Sequence, residues 1–404
     1  MANRRRVVLG TLGSALASSL AGCLDGLGEN GEDNGTSATA TGNGNGNPDT
    51  LVAVSGAFPQ YQYDAGNTGA ASDSDGPTGA IRSLFEFGDG RIGSPTVADG
   101  TVYLTEEQAD ADNEARTTVA AIDALDGTTA WETVYPNTTA PGPTAVTEDY
   151  VLARLGGSVV ALDPATGDQQ WAVAGALESG IAVTEDTVYT LGTGAESATL
   201  YALSVADGTR RWEHEVDAGT FLPTPAVGDG TVYVGGTALQ ALGTESGTEQ
   251  WRIEEPVSAP PTVLDGTVVA VAEDTLVVSD VADGAELWRG DLDGFGRESV
   301  TASNSPAVAD DTVYVSAAGG IEAFDLESGD REYGVELGID GPPVVAGDYV
   351  YLSGTGTLVC LEAFDGTTEW SYGTQQRDDV DGVAPAVLDD VAYFPAEKLY
   401  AIAE

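Results

Sequence analysis

Seven aromatic residues recur along this chain at an almost constant interval: Trp131, Trp171, Trp212, Trp251, Trp288, Tyr333 and Trp370, separated by 40, 41, 39, 37, 45 and 37 residues. A period near 40 belongs to a propeller blade or to a helical repeat, each a small unit that buries its apolar face only by stacking. Four residues before each aromatic stands a glycine, namely Gly127, Gly167, Gly208, Gly247, Gly284, Gly329 and Gly366, and each follows an Asp, Ser or Thr. Such dipeptides supply the positive φ of a tight turn, so each predicts a junction between two antiparallel strands. Upstream in the repeat lies a second hairpin, as in residues 95–103, 225–233 and 306–314, with Asp99-Gly100, Asp229-Gly230 and Asp310-Asp311 as turns. Four short β-branched strands per repeat result, and no segment sustains the 3.6-residue apolar period of a helix. A proline opens the first strand at Pro95, Pro143, Pro225, Pro261, Pro306, Pro343 and Pro385, with Ile181 the exception. Proline withholds a ladder donor and suits an edge strand, which the channel-lining strand of a blade is.

Residues 161–171, Ala-Leu-Asp-Pro-Ala-Thr-Gly-Asp-Gln-Gln-Trp, satisfy every position of the AxDxxTGxxxW docking motif of propellers with quinoprotein-type repeats. Elsewhere Ser204, Gly243 and Glu362 replace the Asp, and Tyr333 replaces the Trp. The resemblance covers about residues 57–404 and implies that the aromatic rings dock structurally against the neighbouring blade. Eight first strands are present, but the last repeat contains only the hairpin 385–394 and a third strand over 399–403. The segment Leu84-Phe85-Glu86-Phe87 precedes the first complete repeat and fits the missing fourth strand, with Phe85 in the tryptophan slot. The expectation is an all-β, eight-bladed propeller closed by its N-terminal strand, with seven blades as the alternative. Phe58-Pro59-Gln60-Tyr61, with Asp64 and Asn67-Thr68-Gly69, resembles the lead-in segment of exported members of the family.

The N-terminus carries an address. Arg4, Arg5 and Arg6 precede a weakly apolar run, and Leu20-Ala21-Gly22-Cys23 follows. The run is too short for a spanning helix; it looks like a twin-arginine export signal ending in a lipobox, with Cys23 as lipid attachment site. Cleavage there leaves 12 basic and 65 acidic side chains, a net charge of −53. From Leu24 to Thr50 the chain is mostly Gly, Asn, Asp, Glu, Ser and Thr, a flexible tether reaching about 30 Å. The reading is thus signal peptide 1–22, tether 23–56 and propeller 57–404, anchored at the outer face of the cytoplasmic membrane. Acidic residues are spread evenly and Lys398 is the only lysine. That composition resembles the proteome of salt-accumulating halophilic archaea, where molar salt shortens the Debye length to about 3 Å and screens the repulsion. It also argues against nucleic acid as partner.

Long segments on one rim, residues 105–117, 291–304 and 372–381, are the expected recognition surface. The quinone-dependent dehydrogenases of the resembling family hold pyrroloquinoline quinone (PQQ) and calcium at the axis, many over adjacent cysteines. Here Cys360 stands alone once Cys23 is lipidated, no Cys-x-x-Cys-His haem site exists, and a tricarboxylate would enter a strongly acidic chain. His214 alternates with Trp212 and Val216 as a packed strand residue would. Asp110, Asp112 and Glu114 have calcium-loop spacing, but Ala115 stands where glycine is required; Asp378, Asp379 and Asp381 read as solvated. Asn34 and Asn137 lie in glycosylation sequons. No catalytic, cofactor-binding or metal-binding residue is assigned. The chain resembles the outer-membrane assembly lipoproteins of the BamB type, which implies a monomeric, non-catalytic module binding a protein partner. The alternatives are a PQQ-dependent dehydrogenase and a solute-binding lipoprotein.

Overall fold

Each repeat folds into four antiparallel strands because its turns leave the chain no other course. In the sixth repeat these are Ala307–Ala309, Thr312–Ala317, Gly320–Asp325 and Arg331–Glu336. Asp310 and Asp311 both have positive φ, 46° and 73°, as do Asp99 and Gly100 at 50° and 71°, the signature of a two-residue type I′ hairpin. The first three strands are buried almost throughout, whereas the fourth alternates with charged residues outward. Short apolar runs covered on both faces read as continuous hydrophobic stretches, and the outer strand alone keeps the two-residue period. The computed structural model describes residues 54, 56–71, 74–109, 115–193, 197–217, 222–257, 259–292, 295, 304–317, 319–339, 341–354, 356–374, 383–388 and 390–404. Among them there is no helix, and the sheets are the antiparallel blades of a β-propeller. The core lies between blades: Val269, Val271, Leu276 and Val278 of the fifth unit pack with Val308, Val313, Val315 and Phe324 of the sixth.

The Asp-Gly and Thr-Gly pairs do more than reverse the chain. The loop they end is longer than a two-residue hairpin: Gly127 N–H donates to the Asp123 carbonyl at 3.0 Å, and Asp123 N–H to the Thr128 carbonyl at 2.8 Å. Where the motif Asp is present its carboxylate caps the loop, Asp163 Oδ1 accepting the N–H groups of Ala165 and Thr166 at 2.9 and 3.0 Å. Each turn glycine then sits on the aromatic ring of the preceding unit. Gly167 has φ +73°, and a Cβ there would come within 2.4 Å of the Trp131 ring; the same holds for Gly208 on Trp171, Gly247 on Trp212, Gly284 on Trp251, Gly329 on Trp288 and Gly366 on Tyr333. The indole N–H completes the seat. Trp131 Nε1 donates to the Pro164 carbonyl (2.8 Å), Trp171 to Val205 (2.9 Å), Trp212 to Thr244 (2.7 Å), Trp251 to Val281 (2.8 Å) and Trp288 to Leu326 (2.7 Å).

Two junctions differ from the rest. Between the second and third units the strand Gln169–Val183 runs on without a break, merging both into one seven-stranded sheet. This is the crossing where Ile181 replaces proline, and with the ladder donor restored the strand continues. The other is where the chain ends meet. Arg82–Phe87 pairs antiparallel with Leu399–Ala403, Phe85 opposite Ala401, and Gly127 of the first unit lies on the Phe85 ring. Trp370 has no turn glycine of the usual kind to dock on, and its Nε1 donates to the Pro77 carbonyl at 2.9 Å. Glu404 Oε1 accepts from Thr78 N–H (2.9 Å), Thr78 Oγ1 (3.0 Å) and Gly79 N–H (2.8 Å), doing for this split loop what Asp163 does for an unbroken one. Tyr393 Oη donates to the Ala124 carbonyl of the first unit at 2.6 Å.

Removing a docked indole should cost what truncating a large buried aromatic does, and Trp171→Ala is expected to lose about 3–5 kcal/mol in denaturant unfolding. An unchanged midpoint would mean the ring carries no load. Hydrogen bonds from Thr78, backbone first, hold Glu404 below the usual carboxylate range. A lowered folded-state pKa stabilises above the unfolded value and fades as pH falls through the folded one. The stability gap between the native chain and Glu404→Gln should therefore be constant above about pH 5 and close below about pH 4.

Candidate functional site

The innermost strand of every blade is a sheet edge, and its outward N–H and C=O groups need partners wherever water is excluded. Residues 58–69 supply them. Phe58 and Val97 exchange hydrogen bonds at 2.8 and 2.9 Å, and Val146 N–H donates to the Pro59 carbonyl at 2.7 Å. At the third unit a side chain takes over, Val183 N–H donating to Gln60 Oε1 (2.9 Å) while Gln60 Nε2 donates to the Val183 carbonyl (3.1 Å). The backbone resumes with Val227 N–H to Ala65 (2.6 Å), Val263 to Gly66 (2.8 Å), Val308 to Thr68 (2.8 Å) and Val345 to Gly69 (2.7 Å). One segment thus visits the inner edges of seven successive units.

Its conformation is held locally. Gln62, Tyr63 and Asn67 adopt positive φ, and Asp64 accepts from Thr68 N–H at 3.0 Å and Thr68 Oγ1 at 2.6 Å. Asn67 Nδ2 donates to the carbonyls of both Pro225 and Pro261 at 3.1 Å, joining the fourth unit to the fifth. Withdrawal from water lifts the Asp64 carboxyl above its usual range, against the pull of the Thr68 hydrogen bonds. At the eighth unit the segment makes no backbone hydrogen bond of this kind among the described residues; a cavity of about 320 Å³ opens there, lined by Gly56, Tyr63, Asp64, Ala71, Val387 and Leu388.

On the opposite rim the first unit is built up. Its middle strands, Thr101–Ala109 and Ala115–Asp123, are longer than their counterparts in the later units, and Arg91–Ile92 adds a further strand beside Glu106 and Glu107. Gln108 bridges Arg116 and Glu106 at 2.8 and 2.7 Å. Asn137 is exposed at the edge of a groove of about 320 Å³ with Tyr135, Thr138, Gly156 and Gln169. Cys360 is buried in a middle strand of the seventh unit, opposite Trp370, and burial pushes its thiol up to about 12. His214 is half-buried on the outer strand Arg210–Val216. Cys23, Asn34, Asp110, Asp112, Glu114, Asp378, Asp379 and Asp381 lie outside the described residues. Among the described residues no three His, Cys, Asp or Glu side chains could together hold a metal ion.

Residues 49–174, 155–372 and 321–402 match the family described as outer membrane protein assembly factor BamB. The chain belongs to this family. The solved structure of BamB from Moraxella catarrhalis superimposes with a TM-score of 0.63 at 18% identity, covering 80% of this chain and 100% of that one. Quinohemoprotein alcohol dehydrogenase from Comamonas testosteroni gives 0.68 at 14% identity, covering 86% and 80%, and a europium-containing methanol dehydrogenase 0.65 at 12%, covering 86% and 89%. At such identities these likenesses show the fold. The serine/threonine-protein kinase AfsK of Streptomyces griseus is 32% identical over 161 residues, 34% of this chain and only 19% of the kinase.

Sequence reasoning singled out Phe58, Gln60 and Asn67 as a family-like lead-in but not as the lining of seven blade edges. The signal was the likeness of that segment to the family's lead-in, which does not record the edges it meets. Gln60→Ala would strand the Val183 N–H and C=O and should cost about 1–3 kcal/mol for each group left unpaired. Equilibrium unfolding checks this, and a native-like midpoint would show that the clamp is dispensable.

Proposed function

We propose that this chain is an exported, lipid-anchored eight-bladed propeller that holds a protein partner and catalyses no reaction. The observation that carries this reading is the occupied axis: the lead-in lies along seven of the inner edges, in the space where a quinone-dependent relative would seat its cofactor. Recognition then falls to the rim of long segments. Membership of the BamB family favours the same role, since that factor is named for assembling other proteins. The strand pair Arg82–Phe87 and Leu399–Ala403, with Tyr393 bonded to Ala124, supports a closed ring of eight units without an open blade edge. Neither PQQ nor calcium belongs to this reading. The motif around Cys23 would carry the lipid anchor, and the acidic surface suits a salt-rich exterior.

Crosslinking on intact cells at native salt, followed by capture of the chain and mass spectrometry, tests the proposal. Crosslinks from residues 105–117, 291–304 or 372–381 to one recurrent protein are expected, and Cys23→Ser should move the chain from the membrane fraction to the soluble one. The absence of any recurrent partner, together with quinone-dependent dye reduction by the purified chain, would overturn the reading in favour of a dehydrogenase. Membrane retention of Cys23→Ser would remove the lipid anchor from it.

A further inference from the structure

Asn137-Thr138-Thr139 has the Asn-x-Thr pattern of a glycan acceptor, and the function proposed above makes no use of it. The three residues follow the outer strand of the first unit, Thr129–Pro136, on the crossing that enters the second unit at Pro141. That crossing is tied down on both sides of Asn137. The Thr138 carbonyl accepts from Thr117 Oγ1 at 3.0 Å, Thr138 Oγ1 donates to the Pro136 carbonyl at 3.2 Å, and Ala140 N–H donates to Glu107 Oε2 at 3.0 Å. Thr117 and Glu107 belong to the two long middle strands of the first unit, so the extended hairpin is what holds the loop.

The two side chains on which the pattern depends stay outside this net. Asn137 and Thr139 are exposed, and neither makes a side-chain hydrogen bond among the described residues, whereas Thr138 between them is half-buried and bonded. Asn137 has φ +53°, in the left-handed region that asparagine tolerates better than most residues, and it stands at the turn of the loop. An amide that gives no hydrogen bond to the fold can be substituted without leaving a buried partner unpaired. There is also room for the substituent. The groove of about 320 Å³ beside Asn137 is lined by Tyr135, Thr138, Gly156, Ser158 and Gln169, and Tyr135 Oη donates to Gln169 Oε1 at 3.1 Å along it. Hydroxyl and amide groups on such a wall suit the hydroxyls of a sugar ring.

We propose that Asn137 carries an N-linked glycan, added at a sequon that the folded chain presents without any unfolding. In the transfer Asn137 Nδ2 forms a bond to the anomeric carbon of an oligosaccharide, the bond from that carbon to the oxygen of a lipid-phosphate carrier breaks, and one amide proton passes to a base of the transferring enzyme. Nothing is oxidised or reduced. The inference rests on the exported reading, since the chain must reach the side of the membrane where the lipid-linked donor is used. It does not depend on the identity of any protein partner.

The test is glycopeptide mass spectrometry on the full chain isolated from the membranes of its own cells. Cleavage after Glu132 and Glu148 releases residues 133–148, in which Asn137 is the only asparagine. This peptide is expected to bear hexose or N-acetylhexosamine increments that fragment ions assign to the Asn137 amide. Asn137→Gln and Thr139→Ala should each lose the increments completely, while Thr139→Ser and Thr138→Val should retain them, because the pattern reads the hydroxyl of the third residue and not that of the second. Asn137 and Thr139 are both exposed, so these variants fold and either one suffices. The N-terminal peptide is read in the same digest. A bare Asn137 in a chain that begins at a lipid-modified Cys23 would overturn the site and leave export standing, whereas a bare Asn137 in a chain that still carries residues 1–22 would overturn both. Sugar assigned to a threonine of the peptide, with Asn137 bare, would equally overturn the proposal.

Discussion

A β-sheet cannot leave an edge buried and unpaired, and this fold creates such an edge at the inner face of each unit. The lead-in answers that constraint with one extended segment whose carbonyls, and once a glutamine amide, meet the outward N–H groups of seven innermost strands. Prolines lie beside those strands but not at the bonded residues: Val97, Val227, Val263, Val308 and Val345 keep the donors that the lead-in uses. The segment is therefore both a plug and a spoke set, and it ties units distant in sequence to one strip of backbone. Asn67 does the same within the strip, spanning the fourth and fifth units with one amide.

Between units a second rule operates. Each ring sits where a side chain on the next turn would collide, so glycine is required both for its positive φ and for the missing Cβ. The indole N–H then finds the carbonyl three residues before that glycine, which sets the rotation of one blade on the next. Tyr333 retains the ring contact with Gly366, while its hydroxyl is buried without a partner among the described residues. The phenol fills the volume of the slot but lacks a donor at the indole position.

The inner edges of seven units are taken up by the lead-in. The first three units carry most of what sets them apart from the later ones: the extended hairpin and the merged sheet. Family membership is consistent with many uses of this scaffold, and the chemistry is decided by such local groupings.

The sequence by itself determined the architecture. The 40-residue spacing, the glycine four residues before each ring, the Asp-Gly hairpins and even the strand around Phe85 were legible, because turn chemistry and aromatic docking are local properties repeated seven times. Only the tertiary structure decided how Gln60, Asn67 and Thr68 are used and why Gln169–Val183 fuses two blades. Those arrangements depend on which backbone groups lie unpaired across gaps of up to about 240 residues, and no local pattern records the need for a partner so far along the chain. A repeat announces itself by periodicity, whereas a contact made once, between the aperiodic lead-in and the edges of the repeats, becomes visible only when the chain has folded.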